Sequence, residues 1–315
     1  MKKILITGAT GQIGTELTPA LRNKYGGANV IAAGHRREPD TGMVEGGPYF
    51  RIDVTQREMM EKVIAEHRVD TVFHLASLLS ADAEKRPQLA WEVNMGGLFN
   101  VLEIARAHRC AVFFPSSIGA FGPLTPPDNT PQDTVQRPNT MYGITKVSGE
   151  LLCDYYHRRY GADTRGVRYP GLISYQTPPS GGTTDYAVHI FYEAIKHRRY
   201  QCFLKEGTRL DMMYMPDAIK AAIDLMEADG ARLVHRNGYN VTAMSFAPEQ
   251  LASAIKKHIP DFELEYQVDP IRQAIAESWP RHMDDSVARR EWGWQPEYGL
   301  DAMVDDMLEH LSKRL

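Results

Sequence analysis

Lys3-Ile4-Leu5-Ile6-Thr7-Gly8-Ala9-Thr10-Gly11-Gln12-Ile13-Gly14 begins as an apolar strand and runs into a G-x-x-G-x-x-G turn. Glycines between a strand and a helix let backbone N–H groups approach a pyrophosphate, at a helix end whose dipole favours negative charge. Gly8, Gly11, Gln12, Ile13 and Gly14 are therefore candidate coenzyme contacts. The position directly after a strand separates this turn from a glycine-rich connection that binds nothing.

Outward from the turn, strand and helix patterns alternate. A helix over 11–23 is followed by strands at 29–33 and 49–52, a helix over 56–67 and a strand at 71–75. A long helix over 89–107 and a strand at 111–114 come next. Such alternation predicts an α/β fold with a doubly wound parallel sheet, the Rossmann arrangement. Five prolines between Phe121 and Asn139 mark a loop, after which a helix over 142–160 and a strand at 164–168 are expected. Beyond Pro170 the alternation becomes irregular. Residues 1–170 are expected to form the dinucleotide-binding domain, which part of 210–235 rejoins, and residues 171–315 mainly a smaller C-terminal substrate-binding lobe.

The 315 residues are 43% hydrophobic, enough for one large α/β unit and a second lobe. With 36 Lys+Arg against 40 Asp+Glu, the net charge of -4 provides no broad basic field for nucleic acid. A small-molecule partner fits better. Cys110, Cys153 and Cys202 are few and far apart, which points to reduced thiols rather than a disulfide or metal site. No export-type apolar stretch follows Lys2-Lys3, and no apolar run approaches the ~18 residues of a membrane span. A soluble cytoplasmic protein is expected.

Tyr142-Gly143-Ile144-Thr145-Lys146 sets a tyrosine and a lysine on one helical face, but so does Tyr192-Glu193-Ala194-Ile195-Lys196. Only the first pair follows a hydroxyl pair, Ser116-Ser117, at the C-terminal end of a sheet strand, where doubly wound folds bind ligands. Alcohol oxidation needs a base for the hydroxyl proton, and a free tyrosine, with a pKa of about 10, is a poor one. Lys146 and a positive nicotinamide are expected to lower the Tyr142 pKa, while Ser117 holds the alcohol oxygen. Ser117, Tyr142 and Lys146 are the candidate catalytic residues.

The acid that usually reads the adenosine ribose about 20 residues after the glycines is absent: Gly34 stands there, followed by His35, Arg36 and Arg37. Those cations can face a 2′-phosphate or form an exposed basic turn, and Arg36 is taken as the candidate contact. Asp53, with Val54 beside it, is a candidate for the adenine edge or a cap for the next helix. NAD is the expected coenzyme, with NADP also admitted. Gly34→Asp is expected to sharpen the preference for NAD.

Together with His74-Leu75-Ala76-Ser77, Asn94 and Arg168-Tyr169-Pro170-Gly171, these motifs resemble the extended short-chain dehydrogenase/reductase family over nearly the whole chain. The resemblance implies that His74, Leu75, Ala76 and Asn94 line the coenzyme, that Lys146 also bonds the nicotinamide ribose, and that Tyr169 and Leu172 border the nicotinamide. Pro115-Ser116-Ser117-Ile118, Tyr169-Pro170-Gly171-Leu172-Ile173-Ser174, the stretch from Gly181 to Tyr186, Met212-Met213-Tyr214-Met215-Pro216-Asp217-Ala218, Trp279-Pro280 and Trp292-Gly293-Trp294 resemble the short-chain type of L-threonine 3-dehydrogenases. That implies contacts to threonine from Ser80, Ser117, Tyr142, Thr183 and Thr184, with Asp185 nearby, and a homodimer paired through helices 89–107 and 142–160. Read by their chemistry alone, residues 181–185 can receive a carboxylate on free N–H groups and face an ammonium with Asp185, or simply cap a helix. A nucleotide-sugar epimerase or dehydratase would share the turn and the Tyr142/Lys146 pair, and a non-catalytic coenzyme sensor is a third alternative.

Overall fold

A computed structural model describes residues 1–179 and 182–315. β1 (Ile4–Thr7) leads through the glycine turn to α1 (Gly14–Tyr25), β2 (Val30–Gly34), the short α2 (Thr41–Glu45), β3 (Tyr49–Arg51), α3 (Arg57–His67) and β4 (Thr71–His74). Next come α4 (Ser80–Lys85), α5 (Pro87–Trp91), a wide helical turn at Glu92–Gly96, α6 (Gly97–His108), β5 (Ala111–Phe113) and β6 (Ser116–Ser117). The proline-rich loop precedes α7 (Met141–Tyr160), β7 (Thr164–Arg165), β8 (Val167–Tyr169) and β9 (Gly171–Ile173). The second half contains α8 (Tyr186–His197), β10 (Arg199–Cys202), β11 (Leu210–Tyr214), α9 (Met215–Glu227), β12 (Tyr239–Asn240) and β13 (Met244–Phe246). It ends with α10 (Pro248–Lys256), β14 (Glu263–Tyr266), α11 (Pro270–Glu277), α12 (Ser286–Trp292) and α13 (Leu300–Ser312).

Six parallel strands in the order β3-β2-β1-β4-β5-β7 make the central sheet. Alternation along β1 sends Ile4 and Ile6 to one face, with Leu17 and Leu21 of α1 and Ala222 of α9, and Leu5 to the other, with Val63 of α3 and Leu102 of α6. Both faces are thus covered, as a doubly wound sheet requires. The return of α9 places Met213, Met215 and Ala218 in the same core as β1 and α1. A separate core joins α8, α10 and α13 around Tyr186, Phe191, Phe246, Leu251 and Met307.

Two elements differ from the sequence expectation in ways that matter for the site. The single strand expected over 164–168 is broken at Gly166, where a Cβ would lie 2.3 Å from the Phe114 carbonyl oxygen. The chain therefore leaves the central sheet after β7, and β8 pairs instead with β6 and β12. The helix expected over 89–107 runs from Pro87 to His108 but widens by one residue at Glu92–Gly96. Such insertions re-aim side chains and recur at functional sites. This one carries Asn94. Among the described residues no helix is long and apolar enough to cross a membrane.

Candidate active site

The glycine turn is packed as tightly as its sequence suggests. Gly8 has a φ of +71°, and a Cβ there would lie 2.6 Å from the Ala76 nitrogen and 2.8 Å from the Leu75 carbonyl carbon. A Cβ on Gly14 would meet the Gly8 oxygen at 2.4 Å. The turn is therefore held against the segment leaving β4, which brings Gly8, Leu75 and Ala76 together. No side chain caps the start of α1 at Ile13, so the first-turn N–H groups of Gln12, Ile13 and their neighbours remain suited to an anion. These residues fit the pyrophosphate of a dinucleotide.

His74 ends β4, buried, with Nδ1 2.8 Å from Thr7 Oγ1 and with Nε2 unpartnered. Burial, then the nearby Lys146 charge, pulls its pKa down to about 3, so the imidazole stays neutral. Asn94, aimed by the wide turn, accepts from Leu78 N at 2.7 Å and donates to Leu78 O and Thr145 Oγ1, each at 3.1 Å. Its amide thus braces the 75–78 segment against α7. In this arrangement Asn94 fixes the backbone of the segment that leaves β4.

α7 starts against the turn Ile118–Ala120 because Gly143 has no side chain: a Cβ there would sit 2.2 Å from the Gly119 oxygen. This close approach sets Tyr142 beside Ser117, whose hydroxyl tends to lower the phenol's pKa. Ser117 Oγ also accepts from Gly119 N at 3.1 Å. One turn along, buried Lys146 donates from Nζ to Pro115 O at 2.8 Å, with Nζ 5.3 Å from the Tyr142 ring centre. Glu84 of α4 accepts from Met141 N at 2.6 Å, tying α4, and half-buried Ser80 at its start, to the same end of α7.

The electrostatics correct one expectation. Burial pushes the Tyr142 phenol up to about 12, only partly opposed by the Ser117 hydroxyl. Burial likewise pulls Lys146 down to about 8, against the attraction of the Glu150 carboxylate. The protein alone therefore holds Tyr142 protonated, desolvation outweighing the opposing effect of the Ser117 hydroxyl. The second tyrosine–lysine pair lies elsewhere, on α8, where Tyr192 packs on the second core and Lys196 is exposed.

Sequence reasoning missed the charge cluster behind this trio. Arg168 of β8 bonds the buried Glu150 carboxylate through Nε at 3.0 Å and Nη2 at 2.8 Å, and donates through Nη1 to Gln132 O and Asn240 Oδ1. Ser116 Oγ and Gln136 Nε2 also donate to Glu150. A satisfied buried pair of this kind locks β6, α7 and β8 together, and so fixes Ser117 relative to Lys146. Its only sequence signal is spacing, since Glu150 follows Lys146 by four residues.

At the adenosine end, Gly34 finishes β2, but the space its side chain would need is filled. A Cβ there would lie 2.5 Å from Tyr49 Oη and 2.9 Å from Thr10 Cγ2, and that Tyr49 hydroxyl is buried without a partner. Parallel pairing of Ala32 with Tyr49 puts the tyrosine on the same sheet face as Gly34. A side chain at position 34 would therefore require Tyr49 and Thr10 to move aside, so Gly34→Asp adds crowding to the charge effect expected of it. Asp53 accepts from Thr55 N and Oγ1 and stands 3.6 Å from His35 Nε2, while no side chain caps α3. Arg36 and Arg37 are exposed. The Val54 carbonyl is taken by Asn100 Nδ2 at 3.0 Å, so Val54 offers a coenzyme its surface rather than that oxygen's first bond.

Tyr169 is buried, donating to Ala218 O at 2.6 Å, which leaves its backbone rather than its hydroxyl to border a ligand. Leu172 is half-buried on β9. The Thr184 methyl packs at Gly171, where a Cβ would meet Thr184 Cγ2 at 2.6 Å. Thr183 is buried, and Asp185 accepts from Gly182 N at 2.8 Å, starting the short turn before α8. Gly181, grouped with these in the sequence, lies outside the described residues.

The comparisons agree with this geometry. A profile described as the NAD dependent epimerase/dehydratase family matches residues 4–242. An uncharacterised epimerase/dehydratase of Staphylococcus haemolyticus is 54% identical over 100% of this chain and 99% of its own length. The X-ray structure of L-threonine dehydrogenase from Clostridium difficile is 59% identical with a TM-score of 0.98, covering 100% of this chain and 98% of that one. A monomeric L-threonine 3-dehydrogenase from a metagenome, in its apo form, is 45% identical with a TM-score of 0.93 over 99% of both chains. Glycine turn, Ser117–Tyr142–Lys146 constellation and full-length similarity converge, and the chain belongs to the NAD dependent epimerase/dehydratase family, the extended short-chain dehydrogenases/reductases.

Proposed function

We propose that this protein oxidises the 3-hydroxyl of L-threonine to 2-amino-3-oxobutanoate. The observation that carries this reading is the full-length likeness to the Clostridium difficile enzyme, 59% identical with a TM-score of 0.98. The Thr184–Gly171 contact supports it by bringing the substrate loop to the strand that follows Tyr169. NAD, held by the glycine turn, supplies the hydride acceptor. Tyr142, reacting as the phenolate that Lys146 and a bound positive nicotinamide would favour, takes the hydroxyl proton at Oη and becomes the phenol, while Ser117 Oγ holds the alcohol oxygen and the C3–H bond breaks as the carbonyl forms. Lys146 stabilises that phenolate before it accepts the proton, and its own proton is steadied by Pro115 O. Thr183, Thr184 and the turn before α8 receive the threonine carboxylate, with Ser80 above the start of α7.

Incubation with NAD and L-threonine should give steady reduction of NAD. Isomerisation of a nucleotide sugar without net reduction would replace this reading with the epimerase one. We further assign NAD as working coenzyme with weak discrimination against NADP, since no carboxylate stands at Gly34 to repel a 2′-phosphate. A homodimer is supported by the apolar face of α5, α6 and α7, where Trp91, Phe99, Leu151 and Tyr155 are exposed beside a groove of about 450 Å³. Three free, buried cysteines suit a reducing compartment, which supports a cytoplasmic location.

A further inference from the structure

Glu16 lies two residues beyond Gly14, in the first turn of the helix that faces the pyrophosphate. Its carboxylate accepts from the hydroxyl of Ser174, which is fully buried at the end of β9. Ser174 Oγ in turn accepts from Gln176 N at 3.0 Å and Thr177 N at 3.4 Å, turning the chain just after β9, on the N-terminal side of the segment that holds Thr183 and Thr184. The loop's root is gripped from other sides as well. Tyr175 stacks on His310 at 4.0 Å, Arg314 donates to Tyr175 O at 2.6 Å, and Tyr214 donates to Asp306. The loop's far end rests on Gly171 through Thr184.

Burial drives Glu16 up to about 7, and the acidic groups around the same root, Asp306, Tyr175 and Tyr214, offer it no compensation. His310 is turned to Asp306 O at 3.0 Å, and Arg314 to Tyr175. A desolvated acid whose one specific bond joins the coenzyme helix to the substrate loop is a local conflict of the sort that marks function.

We propose that Glu16 is a positioning residue: through Ser174 it ties the substrate loop to the coenzyme-binding helix, so that coenzyme and threonine bind with mutual reinforcement. The proposal rests on the threonine reading above. It requires no contact between Glu16 and either ligand.

The test is calorimetric binding of L-threonine without and with NADH, which permits no oxidation, beside steady-state kinetics and amide exchange. In the parent, NADH should tighten threonine binding. Glu16→Ala should reduce that coupling by about three- to tenfold, the worth of one such hydrogen bond. The Michaelis constant for threonine should rise by a similar factor, with kcat and the NADH Kd within about twofold. Glu16→Gln, which keeps an acceptor for Ser174, should retain most of the coupling, and Ser174→Ala should reproduce the loss. Exchange at Gln176 and Thr177 should accelerate in the Ala variants without any ligand. Unchanged coupling together with unchanged exchange in Glu16→Ala would overturn the proposal, as would equal weakening of NADH and threonine. If the parent fails to bind threonine, the substrate assignment has failed, and accelerated exchange still tests the tether by itself.

Discussion

At the scale of single residues, the proposed base is Tyr142, and its environment sets the pH behaviour expected of it. With Tyr142 held near 12 and Lys146 near 8 by burial, the phenolate grows with pH while Lys146 loses, above about pH 8, the charge that stabilises it, so kcat/KM should climb from neutrality and level off near pH 8. Tyr142→Phe should lower kcat by about 10²–10⁴ while leaving the Kd for NAD nearly unchanged. Tyr192→Phe, on the other helix, should be silent. Near-parent turnover in the first variant would remove the assignment. The missing acid at Gly34 was legible in the sequence; its cause was not, because Tyr49 reaches Gly34 only through the β2–β3 register. Gly34→Asp alone should weaken both coenzymes. Adding Tyr49→Phe, which removes the crowding hydroxyl, should restore NAD binding and further disfavour NADP. The NAD/NADP ratio of dissociation constants reads this directly, and an identical ratio in parent and double variant would show that another residue reads the ribose.

At the scale of elements, periodicity located the strands of the central sheet and the catalytic helix to within a residue or two, since burial on both faces leaves long apolar runs. Two breaks escaped it for a physical reason. Gly166 ends β7 because of the Phe114 carbonyl, a contact distant in sequence, and the wide turn at Glu92–Gly96 leaves hydrophobic spacing almost unaltered. That turn should matter. Asn94→Ala removes both bonds to Leu78 and the bond to Thr145, so it should destabilise the fold by about 1–3 kcal/mol and weaken NAD binding through the displaced 75–78 segment. Thermal unfolding and NAD titration measure the two effects, and a variant that binds NAD like the parent would reduce Asn94 to a helix residue without bearing on the site.

At the scale of the whole molecule, the returning α9 joins the core of the central sheet and a second core holds α8, α10 and α13, while α5 to α7 turn an apolar face outward. That face predicts an assembly of twice the 35.5 kDa chain mass, and Leu151→Arg should split it; a monomeric parent at working concentration would contradict the pairing. The substrate was legible only through resemblance, because a doubly wound fold hosts many chemistries and the residues around Thr184 also serve to start a helix. The most direct measurement is therefore of the transferred atom. L-Threonine deuterated at C3 and NAD should yield reduced nicotinamide carrying the label at C4, together with 2-amino-3-oxobutanoate. Unlabelled reduced coenzyme, or no reduction with threonine while a nucleotide sugar is isomerised, would contradict the account.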